Sequence, residues 1–409
     1  MLINHQQDLD DLCRKLREAA PIGFDTEFVS ERLYFARLCL VQVCAGTGDD
    51  RVEGLIDPFD LDLRPFLDLM SDNSVAKVVH AGAQDLQILF QSYGCEARHV
   101  FDTQIAGAFL GYGHQVGYVD LVARVLGGPR LSKGSQYSDW AARPLSADQV
   151  EYALADARYL APMYARLRKE LVSKGRLEWA QSEFRRAELR ARETLSSEEA
   201  YVRLRTSGLT RVQLGVLREL AAARDRIARE INRPPSFLVP DAALVQMARQ
   251  PPHSVAELRG MRGMPSVSPA HGQALLAAVE QAAALRPDEL PQRYAGNGVD
   301  PQADAVAGLL GVVAQLRAIE HGISRTYLAP RDQMIALASW WLRKDEACED
   351  VLPDLDLLSD WRGELVGREM LDLLEGRIAM VLDRAGAVKR SSALRVIPMA
   401  QLSDPKKAG

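Results

Sequence analysis

The sequence predicts an α/β domain with a mixed sheet flanked by helices, followed by two all-α helical-bundle domains. Three observations predict it. Apolar strand-like runs alternate with helical patterns in the N-terminal part. Beyond residue 208 the apolar patterns are helical, with no strand signal. Within that helical part FLVPDAALVQMA (237–248) matches YLAPRDQMIALA (327–338). Each copy has a helix before it and a Leu-rich turn and helix after it, so one small helical unit occurs twice.

Residues 7–19 carry Leu9, Leu12 and Leu16 at helical spacing, and Pro21 ends that helix. Strands follow at 22–28, 37–44 and 51–57, the last closed by Pro58. Their short connections make antiparallel hairpins. Residues 63–70 read as a helix, 76–80 as a short buried strand, and 84–93 as a helix with Gly94 at its C-cap. A strand at 99–102 leads into a helix at 103–110. From about Tyr118 the chain is helical and includes one long helix that opens at the N-cap Ser146. Residues 172–205 mix Arg and Lys with Glu and read as a solvated connecting helix, in which Arg185, Arg186, Arg190 and Arg192 are the residues to test for phosphate contact. Residues 284–305, rich in Pro, Gly and Asp, read as a linker, and the chain looks frayed from about 388. The expected division is 1–172, a charged connector 173–207, a helical domain 208–284, a linker 285–305, a divergent second copy 306–385 and a tail 386–409.

A length of 409 residues suits two to four domains, and 47% hydrophobic with 26% charged residues is the balance of a soluble globular chain. A net charge of −5 excludes a strongly basic non-specific DNA binder and leaves room for a local basic patch. Cys13, Cys39, Cys44, Cys95 and Cys348 include no C-x-x-C pair and no Cys/His zinc pattern. They read as small apolar residues of a reducing compartment. No signal-peptide run opens the chain and no stretch of 18 apolar residues occurs, so a cytoplasmic location without a membrane partner is expected. Trp340 and Trp341 lie on an apolar helix and read as core, while His253, His271 and His321 read as surface or capping residues. No Gly-rich phosphate loop is present, so a nucleoside triphosphate is not an expected substrate.

The chemistry starts at Asp25 and Glu27. Residues i and i+2 of a strand face the same side, so both carboxylates point together off an apolar strand. Their repulsion is relieved by a hard divalent cation between them. Asp85 lies on the first turn of a helix, where the helix dipole favours an acid; plain helix stabilisation is the other reading. Asp102 opens the next helix as an N-cap. Tyr152 and Asp156 are spaced i, i+4 on one helix face, among alanines that leave room for an approaching group; a surface pair is the other reading. Together Asp25, Glu27, Asp85 and Asp156 make an oxygen-rich set for two divalent cations, Mg²⁺ or Mn²⁺, with Tyr152 able to orient an attacking water. Phosphodiester hydrolysis uses such a set, with the cations about 3.5–4 Å apart.

The order D-x-E, H-x-x-x-x-D-L, D-T-Q, Y-x-x-x-D resembles the DEDDy 3′–5′ exonucleases of the DnaQ-like, ribonuclease H-like superfamily. The segment from Gly117 to Leu145, with Tyr118, Leu121, Lys133, Gln136, Asp139, Trp140 and Arg143, is similar to the bacterial ribonuclease D family. The helical repeat resembles the HRDC domain, of which that family carries two. The resemblance spans about residues 5–380. It implies metal ligation by Asp25, Glu27, Asp85 and Asp156, a water-orienting Tyr152, and stepwise release of nucleoside 5′-monophosphates from RNA 3′ ends, with tRNA precursors and small stable RNAs as partners. It also implies that His80, Gln84 and Gln104 line the site, that Phe28 packs against the terminal base or sugar, and that Lys133, Gln136 and Arg143 contact phosphates. Structural roles for these residues stay open. A DNA 3′–5′ exonuclease and a non-catalytic RNA-binding module are the alternatives, because sugar choice depends on 2′-hydroxyl contacts that motifs do not place. A monomer is expected.

Overall fold

The computed structural model describes residues 1–128, 138–193, 196–291, 300–344, 351–382 and 394–402. The N-terminal part runs β1 (Leu2–Ile3), α1 (Gln6–Glu18), β2 (Ile22–Val29), β3 (Arg37–Ala45), β4 (Val52–Ile56), α2 (Arg64–Ser71), β5 (Lys77–Val79), α3 (Ala83–Tyr93), β6 (Val100–Asp102), α4 (Thr103–Leu110), α5 (Tyr118–Leu126), α6 (Ala147–Arg158), α7 (Leu160–Ser173) and α8 (Leu177–Arg192). Six strands form one sheet in the order β1-β4-β3-β2-β5-β6. β2, β3 and β4 pair antiparallel, whereas β5 and β6 continue parallel from β2, giving the expected mixed sheet. β1 pairs parallel with β4; two residues are too short to leave a sequence pattern.

Side-chain alternation decides which face each helix covers. Leu9, Leu12 and Leu16 of α1 join Phe24, Val41, Val43 and Phe66 in the larger core. On the opposite face α6 lies over β2, β3 and β4, where Leu40, Leu55, Trp140 and Ala153 cluster. Cys13, Cys39, Cys44 and Cys95 are free and buried; Cys348 lies outside the described residues.

Contacts group the chain into two compact units, each built from separated stretches. The first holds 1–102, 131–164 and 184–297. In it the sheet is joined by α9 (Arg211–Glu230), α10 (Pro235–Leu238), α11 (Asp241–Arg249), α12 (Val255–Gly260) and α13 (Pro269–Ala283). Their core is built on Leu217, Leu220, Leu244, Met247 and Leu275. The Tyr34 hydroxyl donates to Asp225 at 2.8 Å, and the Phe35 N–H donates to the Asn232 side chain at 2.9 Å, tying the β2–β3 loop to this bundle.

The second unit holds 103–130, 165–183 and 298–409. It contains α14 (Pro301–His321), α15 (Arg325–Leu328) and α16 (Arg331–Arg343). Phe109 packs on Tyr327 and Trp361, Trp179 stacks on Trp361 at 5.1 Å, and the Ser324 N–H donates to the Ala108 carbonyl at 3.0 Å. α14 is long and apolar enough to cross a membrane by length and composition; its buried residues, including Ala307, Leu310 and Ala314, belong to a helix packed on α16. One local feature is shared by both copies of the sequence repeat. Pro240 caps α11 at φ −57°, ψ 146°, and Pro330 caps α16 at φ −58°, ψ 141°, each just after a one-turn helix.

Four expectations change. The long helix after Ser146 breaks at Tyr159 into α6 and α7. Pro162 has no N–H for the Arg158 carbonyl, and its ring crowds that carbonyl. The connector is only partly solvated: Phe184 is buried against Phe101 at 4.7 Å, and Glu188 accepts the Val100 N–H at 2.7 Å. A hairpin of β7 (Ile378–Leu382) and β8 (Leu394–Pro398) stands where no strand was expected, because its half-buried pattern carries no clean alternation. Trp340 and Trp341 are half-buried rather than core; the Trp340 indole donates to the Val351 carbonyl at 3.0 Å near the end of α16.

Candidate active site

β2 lies inside the sheet, between β3 and β5, and carries Asp25 and Glu27 on the face covered by α6. A register shift between Glu27 and Phe28 bends the strand just past the two acids. α6 starts at a capping box in which Ser146 and Gln149 satisfy each other's backbone N–H. It presents Tyr152 and Asp156 one turn apart.

Gly23 lets α6 and α7 come this close. A Cβ there would sit 2.6 Å from Leu160 Cβ and 2.9 Å from the Ala157 carbonyl oxygen. Gly23→Val is therefore expected to lift the helix that carries Asp156, destabilise the fold by about 1–3 kcal/mol, and cut cleavage about tenfold or more, since small misplacement of reacting groups is costly. Thermal melts and rate measurements on the variant check this; an unchanged rate would show that the close approach does not set the site.

Carboxylate oxygens of Asp25, Glu27 and Asp156 all lie within 4.8 Å of one another. Asp85, buried on the first turn of α3, approaches from beside this trio and accepts a hydrogen bond from the Thr26 hydroxyl. Burial, then the charge of Asp156, raises the Asp25 pKa. Burial, then Asp25, Asp156 and Asp85, pushes Glu27 up to about 9. Burial raises Asp156 to about 7 against the opposing hydrogen bond from Tyr152. Asp85 is held well above the carboxylate range by burial, then by Asp25. Burial and the Asp156 charge also raise Tyr152, so its hydroxyl keeps its proton at neutral pH and donates to Asp156. Its ring packs 6.1 Å from that of Trp140.

The turn before α3 is held from β6. Asp102 accepts the Ala81 N–H at 3.1 Å and the Gly82 N–H at 3.0 Å, through different oxygens. Ala81 has φ 55°, a left-handed conformation that a non-glycine residue adopts at a cost. Asp102 thus serves the turn leading to Asp85, beyond the expected opening of its own helix. Asp102→Asn keeps one good acceptor and loses the other. It is expected to cost about 1–3 kcal/mol and to slow cleavage by disordering Asp85; melting and rate assays run together test this, and wild-type values in both would refute it.

His80 is half-buried in the turn before α3, Gln84 is exposed beside Asp85, and Phe28 is half-buried against the larger core. The Gln104 amide donates to the Val116 carbonyl at 3.2 Å. Arg143 pairs with Asp57 at 2.5 Å, donates to the carbonyls of Cys39, Trp140 and Ala142, and lies over the Phe59 ring. Most of its donors are thereby committed to anchoring its own loop. Lys133 and Gln136 lie outside the described residues. Arg192 pairs with Glu96 at 2.9 Å, while Arg185 and Arg190 are exposed. Sequence reasoning passed over Gly23 and Thr26. A glycine inside an apolar strand was the available sign of a close approach; Thr26 carried none.

A 3′-5′ exonuclease family model matches residues 1–172, and an HRDC domain model matches 213–279. Ribonuclease D of Sphingobium indicum is 36% identical over 387 residues, 93% of this chain and 96% of the relative. Ribonuclease D of Zymomonas mobilis is 34% identical over 389 residues, 94% of this chain and 96% of that one. The chain belongs to the ribonuclease D family. The crystal structure of Escherichia coli RNase D superposes with a TM-score of 0.79 at 33% identity, covering 92% of this chain and 98% of that one. The ribonuclease D family assignment makes the chain a 3′–5′ exoribonuclease, with a DnaQ-like catalytic domain and one matched HRDC domain.

The acids suit the divalent metal ions that the DnaQ-like fold generally uses. The donors are all carboxylate oxygens, and no cationic side chain among the described residues offsets them. Each pKa is raised first by burial and, for Asp25 and Glu27, next by neighbouring carboxylates.

Proposed function

We propose that the enzyme releases nucleoside 5′-monophosphates one at a time from RNA 3′ ends, tRNA precursors and other stable RNAs being its substrates. Asp25, Glu27, Asp85 and Asp156 would hold two divalent cations, Mg²⁺ or Mn²⁺. The observation that carries this reading is the convergence of three carboxylates beneath a tyrosine hydroxyl. When bound, the cations supply charge stabilisation at the phosphate oxygens and make an attacking water easier to deprotonate. The protein's own residues then set the geometry. Asp156 fixes the Tyr152 hydroxyl, which orients the water, and Thr26 fixes Asp85. Phe28, His80 and Gln84 are the substrate contacts within reach of β2 and α3, with Lys133 and Gln136 as phosphate contacts. Arg143 acts as a loop anchor.

The proposed organisation is an exonuclease domain 1–172, a connector 173–207, an HRDC domain 208–284, a linker 285–305, a second, divergent HRDC domain 306–385, and a tail. The repeated Pro-capped turn supports the second copy. The first HRDC domain helps hold the RNA. In its support, a cleft of about 340 Å³ runs between the β2–β3 loop, Gln84, Gln87 and Gln91 of α3, and Arg203 and Arg229. The enzyme works as a cytoplasmic monomer.

A time course on 5′-labelled single-stranded RNA, beside a matched DNA oligomer, tests this. A ladder that shortens from the 3′ end, yields 5′-monophosphates and stops with chelator is expected. RNA retained intact with cation present would refute it, and preferential cleavage of the DNA would refute the substrate. Tyr152→Phe is expected to lower kcat about 10²-fold while leaving Mn²⁺ affinity near wild type, because the phenyl ring keeps its packing on Trp140. A kcat near wild type would remove Tyr152 from the reaction.

A further inference from the structure

Gln42 stands in β3 directly opposite Asp25 on one side and Leu55 of β4 on the other. Side chains opposite one another in an antiparallel pair share a face, with Cβ atoms about 4.5–5.5 Å apart. Gln42 therefore lies beside Asp25 on the face covered by α6. It is fully buried, and neither its Nε2 nor its Oε1 has a hydrogen-bond partner among the described residues. By register its neighbours on that face include Leu40, Cys44 and Leu55, and Leu40 and Leu55 cluster with Ala153 of α6. Nothing apolar there can satisfy an amide, and a buried amide left unpaired destabilises a fold. The polar group that the ladder sets directly opposite it is the Asp25 carboxylate; Glu27 and Glu53 lie diagonal to it on the same face, and Glu53 is already paired with Arg158.

We propose that Gln42 is a positioning residue: its amide N–H, unpaired in this structure, donates to the Asp25 carboxylate when a bound cation keeps that carboxylate ionised, and fixes the orientation in which Asp25 faces Glu27 and Asp156. An amide suits this place better than other polar side chains. Lysine would neutralise the acids and compete with a cation, and glutamate would add a further like charge. The amide supplies a donor without net charge, and second partners of this kind orient metal ligands. The inference rests on reading Asp25 as a cation ligand.

The test uses the full chain with Gln42→Met. Mn²⁺ binding is followed by calorimetry without RNA, melting is measured in chelator, and kcat and KM are measured on RNA. Gln42→Met is expected to melt in chelator no lower than wild type, since an unpaired amide has gone. It should bind Mn²⁺ about tenfold more weakly and lose about tenfold in kcat, with KM for RNA unchanged. Wild-type Mn²⁺ affinity and kcat in Gln42→Met would overturn the inference alone. A wild type that takes up no Mn²⁺ overturns the cation reading and this inference with it.

Discussion

Asp25→Asn and Asp156→Asn are each expected to abolish the ladder of shortened RNA and, in chelator, to melt higher than wild type. The two effects share one cause. Carboxylates crowded within 4.8 Å, half-buried and without a cationic neighbour among the described residues, are placed for a ligand at the expense of the fold. Asparagine keeps the shape and one acceptor oxygen, so the Tyr152 hydroxyl retains its partner at residue 156. It removes a negative charge from a site that repels negative charge. Cleavage should fall by at least about 10²–10³-fold, the scale for losing one group that stabilises developing charge. The melting temperature in chelator should rise by about 2–4 °C for each kcal/mol relieved. Cleavage at the wild-type rate would place the chemistry elsewhere. Lower melting in both variants would mean that these acids support the fold rather than strain it.

The second large effect is on pH. A carboxylate whose folded pKa lies above its unfolded value stabilises the fold at low pH and loses that contribution as pH rises through the folded pKa. Asp156 moves from an ordinary 3.8 to about 7, and Glu27 from 4.5 to about 9. Protein in chelator is therefore expected to melt progressively lower as pH rises from near 4, through the Asp156 range and on toward the Glu27 range. Partial solvent access to these groups moderates the slope. Added Mg²⁺ or Mn²⁺ should reverse the loss most strongly at high pH. Its binding at neutral pH should release protons, because a carboxylate ligand must be ionised. Calorimetry in buffers of different ionisation enthalpy measures that release. Binding with no proton release, or a melting temperature in chelator that climbs with pH, would show that the acids are already ionised and balanced by some other charge.

Much of the site was legible because its groups obey local periodicity. The two-residue spacing of Asp25 and Glu27 on a strand, and the four-residue spacing of Tyr152 and Asp156 on a helix, each fix a shared face without tertiary information. The Ser146 cap and the Gly94 terminus were likewise written locally. Contacts made by residues far apart in the chain were not. Arg143 meets Asp57 across 86 positions, a pairing that no local pattern announces. Thr26 reaches Asp85 from the opposite face of the strand that carries the acids. Asp102 grips a left-handed turn twenty residues earlier. The connector's charge pattern hid Phe184 and Glu188, which dock on β6.

By itself the sequence determined the fold class, the ribonuclease D-like motif order and the helical repeat, because each is carried by residue type and spacing along the chain. The tertiary structure alone decided how close the acids come, through the space above Gly23, and which polar groups are left facing one another in the interior. Gln42 reads from sequence as one more residue of an apolar strand. Only the β2–β3 register sets it, buried and unpaired, against Asp25. Distances between strands and helices are settled by packing, and packing sums over residues that no local pattern connects.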